Sequence, residues 1–452
     1  MRQPKSRKRI LMIVAASIIA AFAVIILTTI GLIIFNPDLF FNKYLKEKVE
    51  ARFKEINPDN RVHIHALHYH FWYNEIDADT INIYNKDSAL IYKITEASLS
   101  GIKFLQLIKG GPDTNEISHY IVEANSIYFR IPNSDYDINF KKFHFSFSES
   151  KITLEDFEYN PRNIDETFFA ESDFRQTRLR ISIPSIQLSG IDYVNFIQHK
   201  QLHFQSLKLS NGIMDILMNN DKNFKVDSTF NPMPNELFNS FNNALLIDRI
   251  TINNGDIIYN QRFQIGGKKA IITINHLNIM AIQNAYTLKK NITSTISANF
   301  KINNTAPMMI SMQLPLSSKV FSLRYSGTCG SMIMSDLNTY LDNAEAIKFK
   351  SGKLESAAFD IDITDGKATG NVRAVYTDLK IEPSNFKTSQ SKTRRSVNTF
   401  LANTFAIHKN NLPDKKGVIK PGIIKFHRAH DTAFIEMIWL SLRSGLENIT
   451  GI

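Results

Sequence analysis

From Arg61 onward the chain alternates apolar and polar residues with a period of two. Ile81 and Ile83 alternate with Thr80, Asn82 and Tyr84, and Ile127, Phe129 and Ile131 repeat the pattern. Phe143, Phe145 and Phe147 stand between His144, Ser146 and Ser148, which predicts three rings on one face and three polar residues in solvent. Leu179, Ile181 and Ile183 slip phase at Pro184-Ser185 and resume as Ile186 and Leu188, and Phe359, Ile361 and Ile363 alternate with Asp360, Asp362 and Thr364. This pattern describes strands with one apolar and one wet face. Asn211-Gly212, Asn254-Gly255 and Asp365-Gly366 predict hairpin turns, and two of these hairpins read as copies, Leu207–Gly212 matching Ile250–Gly255 position by position. Helices interrupt the strands at three places, Asn235–Leu246, Ser335–Ala346 and Thr393–Ile407. The Ser/Thr/Lys-rich stretch 387–395 reads as a mobile connection.

The two ends follow other rules. Residues 1–9 carry Arg2, Lys5, Arg7, Lys8 and Arg9, and residues 10–35 are an uncharged apolar run that includes Ile10, Leu11, Phe22, Leu27 and Phe35. Such a run, at 1.5 Å per residue, crosses a hydrocarbon core about 30 Å thick as a helix. No small-residue cleavage site follows it, so it reads as an uncleaved anchor rather than a signal peptide. The basic tail places the N-terminus in the cytoplasm and the rest of the chain across the membrane. Residues 36–60 open with Asn36-Pro37, a helix start, and place Phe41, Leu45, Val49, Phe53 and Ile56 at helical spacing among lysines and arginines. This helix either lies on the lipid surface, with Phe41, Tyr44, Leu45 and Val49 as its greasy side, or packs on the following sheet. Residues 431–452 form a second amphipathic helix, Phe434, Ile435, Ile438, Trp439, Leu442, Leu446 and Ile449 on one arc and Glu436, Ser441, Arg443, Ser444, Glu447 and Asn448 on the other. It caps the sheet or lies at an interface anchored by Trp439.

Charge and cysteine content narrow the class. The net charge of +10 includes the five basic residues of the tail, so the exported part carries about +5 and offers little argument for nucleic acid. The single cysteine, Cys329, excludes an internal disulfide and makes thiol or zinc–thiolate chemistry improbable.

Catalytic patterns are missing. There is no Gly-x-Ser-x-Gly elbow, phosphate loop or His-Glu-x-x-His, and no carboxylate pair stands out, so no enzyme, cofactor or metal is expected. Strict alternation puts His63 and His65 on one strand face and His68 and His70 on the other, which disfavours a metal site. Asp360-x-Asp362-x-Thr364-Asp365-Gly366 departs from a calcium loop and reads as a wet strand face entering a turn.

With the basic tail, the membrane run, the Asn36-Pro37 helix and Ile76–Ile83, the chain resembles the AsmA-like family of bacterial envelope proteins, distantly related to TamB and the bridge-like lipid-transfer proteins. The likeness is sharpest in Lys350–Leu354, Phe359–Ile361, Asp365–Gly370, Tyr376–Lys380, Asn403–Ile407 and Trp439–Leu446. It implies a mostly β fold: an N-terminal membrane helix, then, over 61–430, a long curled antiparallel-rich sheet forming an open hydrophobic groove, with few peripheral helices and a C-terminal amphipathic helix. Roughly 15–18 strands are expected at about 4.8 Å spacing. Candidate groove-lining residues are Ile81, Ile83, Phe143, Phe145, Phe147, Ile181, Ile183, Phe359, Ile361 and Ile363. The implied place is the bacterial inner membrane with the bulk in the periplasm. The implied role is phospholipid transport between envelope membranes and outer-membrane homeostasis, with phospholipids and envelope proteins as partners. The alternative is a scaffold that binds protein clients through sheet edges.

Overall fold

The computed structural model describes residues 41–104, 114–199, 201–223, 231–240, 245–283, 292–384, 407–429 and 432–451. No helix among them is long and apolar enough to cross a membrane. The anchor residues Ile10, Leu11, Phe22, Leu27 and Phe35 lie outside them, as does most of 387–407. The protein is mostly β, 56% strand and 19% helix, with one large mixed sheet of 19 strands. Its contacts divide it into two compact units, residues 1–132 with 141–148, and 133–140 with 149–452.

In the first unit a π turn, Phe41–Leu45, leads into α1 (Lys46–Ile56). Strands β1 (Arg61–Ile64), β2 (Leu67–His70), β3 (Glu75–Tyr84), β4 (Leu90–Ser100) and β5 (Ile121–Arg130) follow. β1 and β2 lie end to end against β3, and β3, β4 and β5 pair antiparallel in order. The core is Phe41, Val62, Ile64, Leu67, Tyr69 and Ala78, with Leu45 and Phe53 packed on it. The helix therefore covers the sheet. Phe41 is fully buried, stacked on Tyr69 at 5.0 Å, so it is not a membrane-surface residue. Tyr44 and Val49 remain exposed.

β6 (Tyr136–Ser146) is shared between the units. The second unit continues with β7 (Lys151–Pro161), α2 (Asp165–Ala170), β8 (Thr177–Ile191), α3 (Tyr193–His199), β9 (Leu202–Ser210), β10 (Ile213–Asn219), α4 (Pro234–Ser240) and β11 (Leu245–Arg262). Then come β12 (Ala270–Gln283), β13 (Thr293–Ile302), β14 (Ala306–Pro315), β15 (Ser322–Cys329), β16 (Met332–Ile333), α5 (Asn338–Ala344), β17 (Ile347–Thr364), β18 (Lys367–Pro383), β19 (Gly422–His427) and α6 (Phe434–Thr450). Of the expected helices, the first ends at Ser240 and Leu245–Leu246 already belong to β11, while the second is a 3-10 turn plus α5.

Two of the three expected hairpins are something else. Asp365 (φ 49°) and Gly366 (φ 74°) do join β17 to β18. Asn211-Gly212 instead links β9 to β10 in line along β8, and Asn254-Gly255 lies inside β11. β9 and β10 run parallel to β11, so the two copies of the repeat sit side by side, Leu207 opposite Ile250 and Leu209 opposite Ile252. A parallel step needs a long crossover, and α4 belongs to the connection between β10 and β11.

One end of this unit curls. The consecutive residues Asn338 and Thr339 hydrogen-bond the backbones of Phe349 in β17 (2.9 Å) and Ile271 in β12 (2.9 Å). β12 and β17 are four strand steps apart, about 19 Å in a flat sheet. α6 packs on the apolar face of β17, β18 and β19, burying Met437, Ser441, Gly445 and Ile449. The sequence placed Ser441 on the wet arc. It is buried because its hydroxyl donates to the Met437 carbonyl (2.7 Å) and because small residues let the backbones meet, Gly445 lying against Gly422. Ile435 and Trp439, expected on the apolar arc, are 70% and 50% exposed. The helix therefore caps the sheet.

Behind α2, Arg178 is 2% exposed and held by Asp165 (3.1 Å) and Asp215 (2.8 Å), with Arg180 also on Asp165 (2.7 Å). The Arg262 guanidinium lies 4.6 Å over the Phe169 ring. Burying these charges is tolerable only because each has a partner.

Candidate functional site

Cross-strand registers in the second unit join apolar residues into rows. One row runs Ile152–Leu188–Leu207–Ile250–Ala281–Ile296–Met312–Tyr325–Ile361–Gly370–Ile424, across β7, β8, β9, β11, β12, β13, β14, β15, β17, β18 and β19. Beside it runs Leu154–Ile186–Leu209–Ile252–Ile279–Ala298–Ile310, and further along the strands Tyr159–Ile181–Met214–Ile257–Ile274–Ile302. β13 contributes Ile296, Ala298 and Ile302 to the three rows, all of one parity, so the rows share one sheet face. The opposite face is polar, for example Thr153–Gln187–Lys208–Thr251 and Ser297–Ser311–Ser326–Asp360–Asn371.

Keeping the rows on one face requires a correction in most strands. Ile152 and Leu154 are even-numbered but Phe157 and Tyr159 odd, and β8, β11 and β12 slip in the same way. At each slip a residue takes positive φ or the strand carries an in-line Gly or Pro: Asp156 (48°), Pro184, Asn211 (56°), Asn254 (52°) and His276 (54°). A left-handed residue inserts one extra position and returns the following side chains to the original face. Asn254 is the hub of a polar line along these slips. Its Nδ2 donates to Asn211 Oδ1 (3.0 Å), its backbone N–H to Asn278 Oδ1 (3.0 Å), and Asn278 Nδ2 to Asn299 Oδ1 (3.2 Å).

Cover over the apolar face is uneven. In the first row Tyr325, Ile361 and Ile424 are buried, Tyr325 donating to the Ile438 carbonyl of α6 at 2.9 Å. Burial pushes the Tyr325 hydroxyl far up from its ordinary value. From Ile152 to Met312 every member of the row is only half-buried, over seven strands or about 29 Å. A continuous half-covered apolar surface of this length is unusual for a sheet that serves only as a core.

The groove candidates distribute accordingly. Ile181 and Ile183 lie on the half-covered face. Phe359, Ile361 and Ile363 belong to the side-chain core filled by α6, so they line no open surface. Ile81 and Ile83 pack with the first unit's core under α1. Phe143, Phe145 and Phe147 are half-buried, with Phe145 and Phe147 at 4.0 Å. Ser146, expected in solvent, is 3% exposed and hydrogen-bonded to Ser148 (3.1 Å). His144 is paired with Glu123 at 2.8 Å.

The first unit repeats the design. Val62–Ile83–Tyr92–Phe129 and Tyr69–Ile76–Leu99–Val122 are apolar rows on either side of a slip at His65-Ala66, Asp79-Thr80 and Glu96 (φ 49°). The slip carries Val62, Ile64, Leu67 and Tyr69 into one core and leaves all four histidines toward the wet side, which corrects the two-face expectation. His70 meets Asp77 (2.7 Å) and His68 meets Asp79 (3.5 Å). His68, Asp77 and Asp79 bring one ligand atom each within 4.8 Å of one another, enough for a divalent cation, but all three are paired or solvated surface groups. Apart from the phase break at Pro184-Ser185, the slips were the feature that sequence reading missed. Only Pro184-Ser185 and the Asn-Gly pairs signalled them.

No protein-family model and no curated protein matches this chain.

Proposed function

We propose that the chain is an inner-membrane-anchored envelope protein that shields phospholipid acyl chains against the apolar face of its sheet, supporting phospholipid transport between envelope membranes and outer-membrane homeostasis. The observation that carries this reading is the change of cover along one row, half-buried from Ile152 to Met312 and buried at Tyr325, Ile361 and Ile424. Side chains of α6 fill the face at one end, whereas acyl chains would cover it where α6 does not reach. The AsmA-like resemblance and the 26-residue apolar run at the N-terminus agree with it. Apolar rows have no directional chemistry, so the face selects for acyl chains over headgroups and needs no cofactor. The sequence carries no phosphate-loop motif, so net movement would follow a gradient or a partner.

The test is lipid extraction from the purified full chain, compared with a Leu207→Asp, Ile250→Asp variant. The reading expects bound phospholipid in the parent and its loss in a folded variant. Equal lipid retention by both would refute it.

A further inference from the structure

The turn between β2 and β3 is a rigid mount for two exposed aromatic rings. Trp72 is 91% and Tyr73 76% exposed. Their neighbour Phe71 points inward, its ring 5.6 Å from Tyr69 and 5.2 Å from Phe104, and Phe104 lies 6.1 Å from the buried Phe41. The backbone is tied down as well. Tyr73 N–H donates to the His70 carbonyl (3.1 Å) and Ile102 N–H to the Asn74 carbonyl (3.0 Å), with Asn74 in the left-handed region (φ 49°). A loose loop would let the two rings fold back on apolar surface, whereas this one holds them outward.

The position of the turn in the chain says what they meet. Phe41, joined to Phe71 through Phe104, stands six residues after Phe35, the end of the apolar run. Six residues reach at most about 21 Å. Asn42 locks this exit to β2, its side chain accepting from Leu67 N–H (2.8 Å) and donating to the Leu67 carbonyl (2.9 Å). Lys43 and Lys103 are exposed nearby in sequence on the same two segments. Trp and Tyr favour the headgroup layer, where an apolar ring body and a polar edge are both satisfied, and lysines favour its anionic lipids.

We infer that Trp72 and Tyr73 dock in the headgroup layer of the bilayer from which the chain emerges, an inference that rests on reading residues 10–35 as a membrane helix. Docking there sets Leu99 and Val122, the half-buried end of the row that continues from the core residues Tyr69 and Ile76, at the lipid surface. That end of the first unit's apolar face is then where acyl chains arrive.

The chain has two tryptophans, so Trp439→Phe leaves Trp72 as the sole reporter. The full chain carrying this change is reconstituted in phosphatidylethanolamine–phosphatidylglycerol vesicles, with and without phospholipids brominated near the headgroup end of the acyl chain. Trp72 should lose most of its emission to the brominated lipid and be blue-shifted. A chain that resists alkaline extraction yet shows red, unquenched Trp72 emission would overturn the docking while leaving the anchor intact, and would point to a protein partner for the rings. A chain extracted from the vesicles would overturn the anchor reading and the docking together. Trp72→Ser, Tyr73→Ser provides the control, since both side chains are exposed and their loss should leave thermal unfolding unchanged.

Discussion

Asn254 donates a 3.0 Å hydrogen bond from its side-chain nitrogen to the side-chain oxygen of Asn211, 43 residues earlier and one strand away. Both residues have positive φ, and each stands at the point where its strand slips phase. The internal repeat is therefore two copies of one slip laid in parallel register, and the apolar rows stay continuous because neighbouring strands slip together.

Asn211→Val and Asn254→Val should each destabilise the second unit by about 1–3 kcal/mol, through a β-branched residue in the left-handed region and loss of the shared hydrogen bond. Glycine at either position keeps the backbone geometry and should cost less. Urea denaturation of the four single variants checks this. Equal losses for valine and glycine would show that conformation at the slip is immaterial.

Two substitutions in one row should behave differently. Ile361 is fully buried under α6, so Ile361→Asp should unfold the C-terminal end of the second unit. Ile250, in the half-covered part, should accept Asp with the fold kept and lipid lost. Circular dichroism and lipid content of the two variants separate fold from cargo.

Arg178→Ala should destabilise by about 1–3 kcal/mol, because the buried guanidinium's bonds to Asp165 and Asp215 are lost while Arg180 still pairs Asp165. Arg52, exposed and paired with Glu55 on the surface of α1, should be dispensable. Denaturation midpoints of the two alanine variants test the contrast.

Alkaline pH should loosen the sheet beneath α6. Burial raises the Tyr376 hydroxyl from 10.0 to about 12, and Tyr325 and Tyr340 rise as well. Between those values the unfolded chain has lost the proton and the folded one has kept it, so stability is intact below pH 10 and falls as pH rises toward 12. Urea midpoints measured across this window should fall less steeply for Tyr376→Phe than for the parent. Parallel slopes would contradict the assignment.

The strands and the sidedness of the sheet were legible because alternation is a direct consequence of pleating. Phe359, Ile361 and Ile363 do share a buried face, as their spacing says. Beyond the break at Pro184-Ser185 the slips were not legible, because Asp156 and His276 adopt positive φ under tertiary pressure, with no glycine to announce it. The same slips misplaced the histidines, and an Asn-Gly pair inside a strand looks identical to one at a hairpin. What covers a face was also beyond reach. Ser441 and Gly445 look polar or neutral on a wheel, yet they are the contact stripe of α6, while Trp439 is left half in solvent. Trp72 passed unnoticed because only the turn geometry shows that it is held out.

If acyl chains lie on one face of the second unit and not on the other, adjacent residues of β11 must differ in their contact with lipid. A photo-crosslinking amino acid is placed at Ile250 or at Thr251 in the full chain, which is then irradiated in cells with radiolabelled phospholipid. Ile250 belongs to the apolar row and Thr251 to the polar one, one residue apart and on opposite faces. Lipid adducts at position 250, and none at 251, are the predicted result. Adducts at both positions, or at neither, would contradict it.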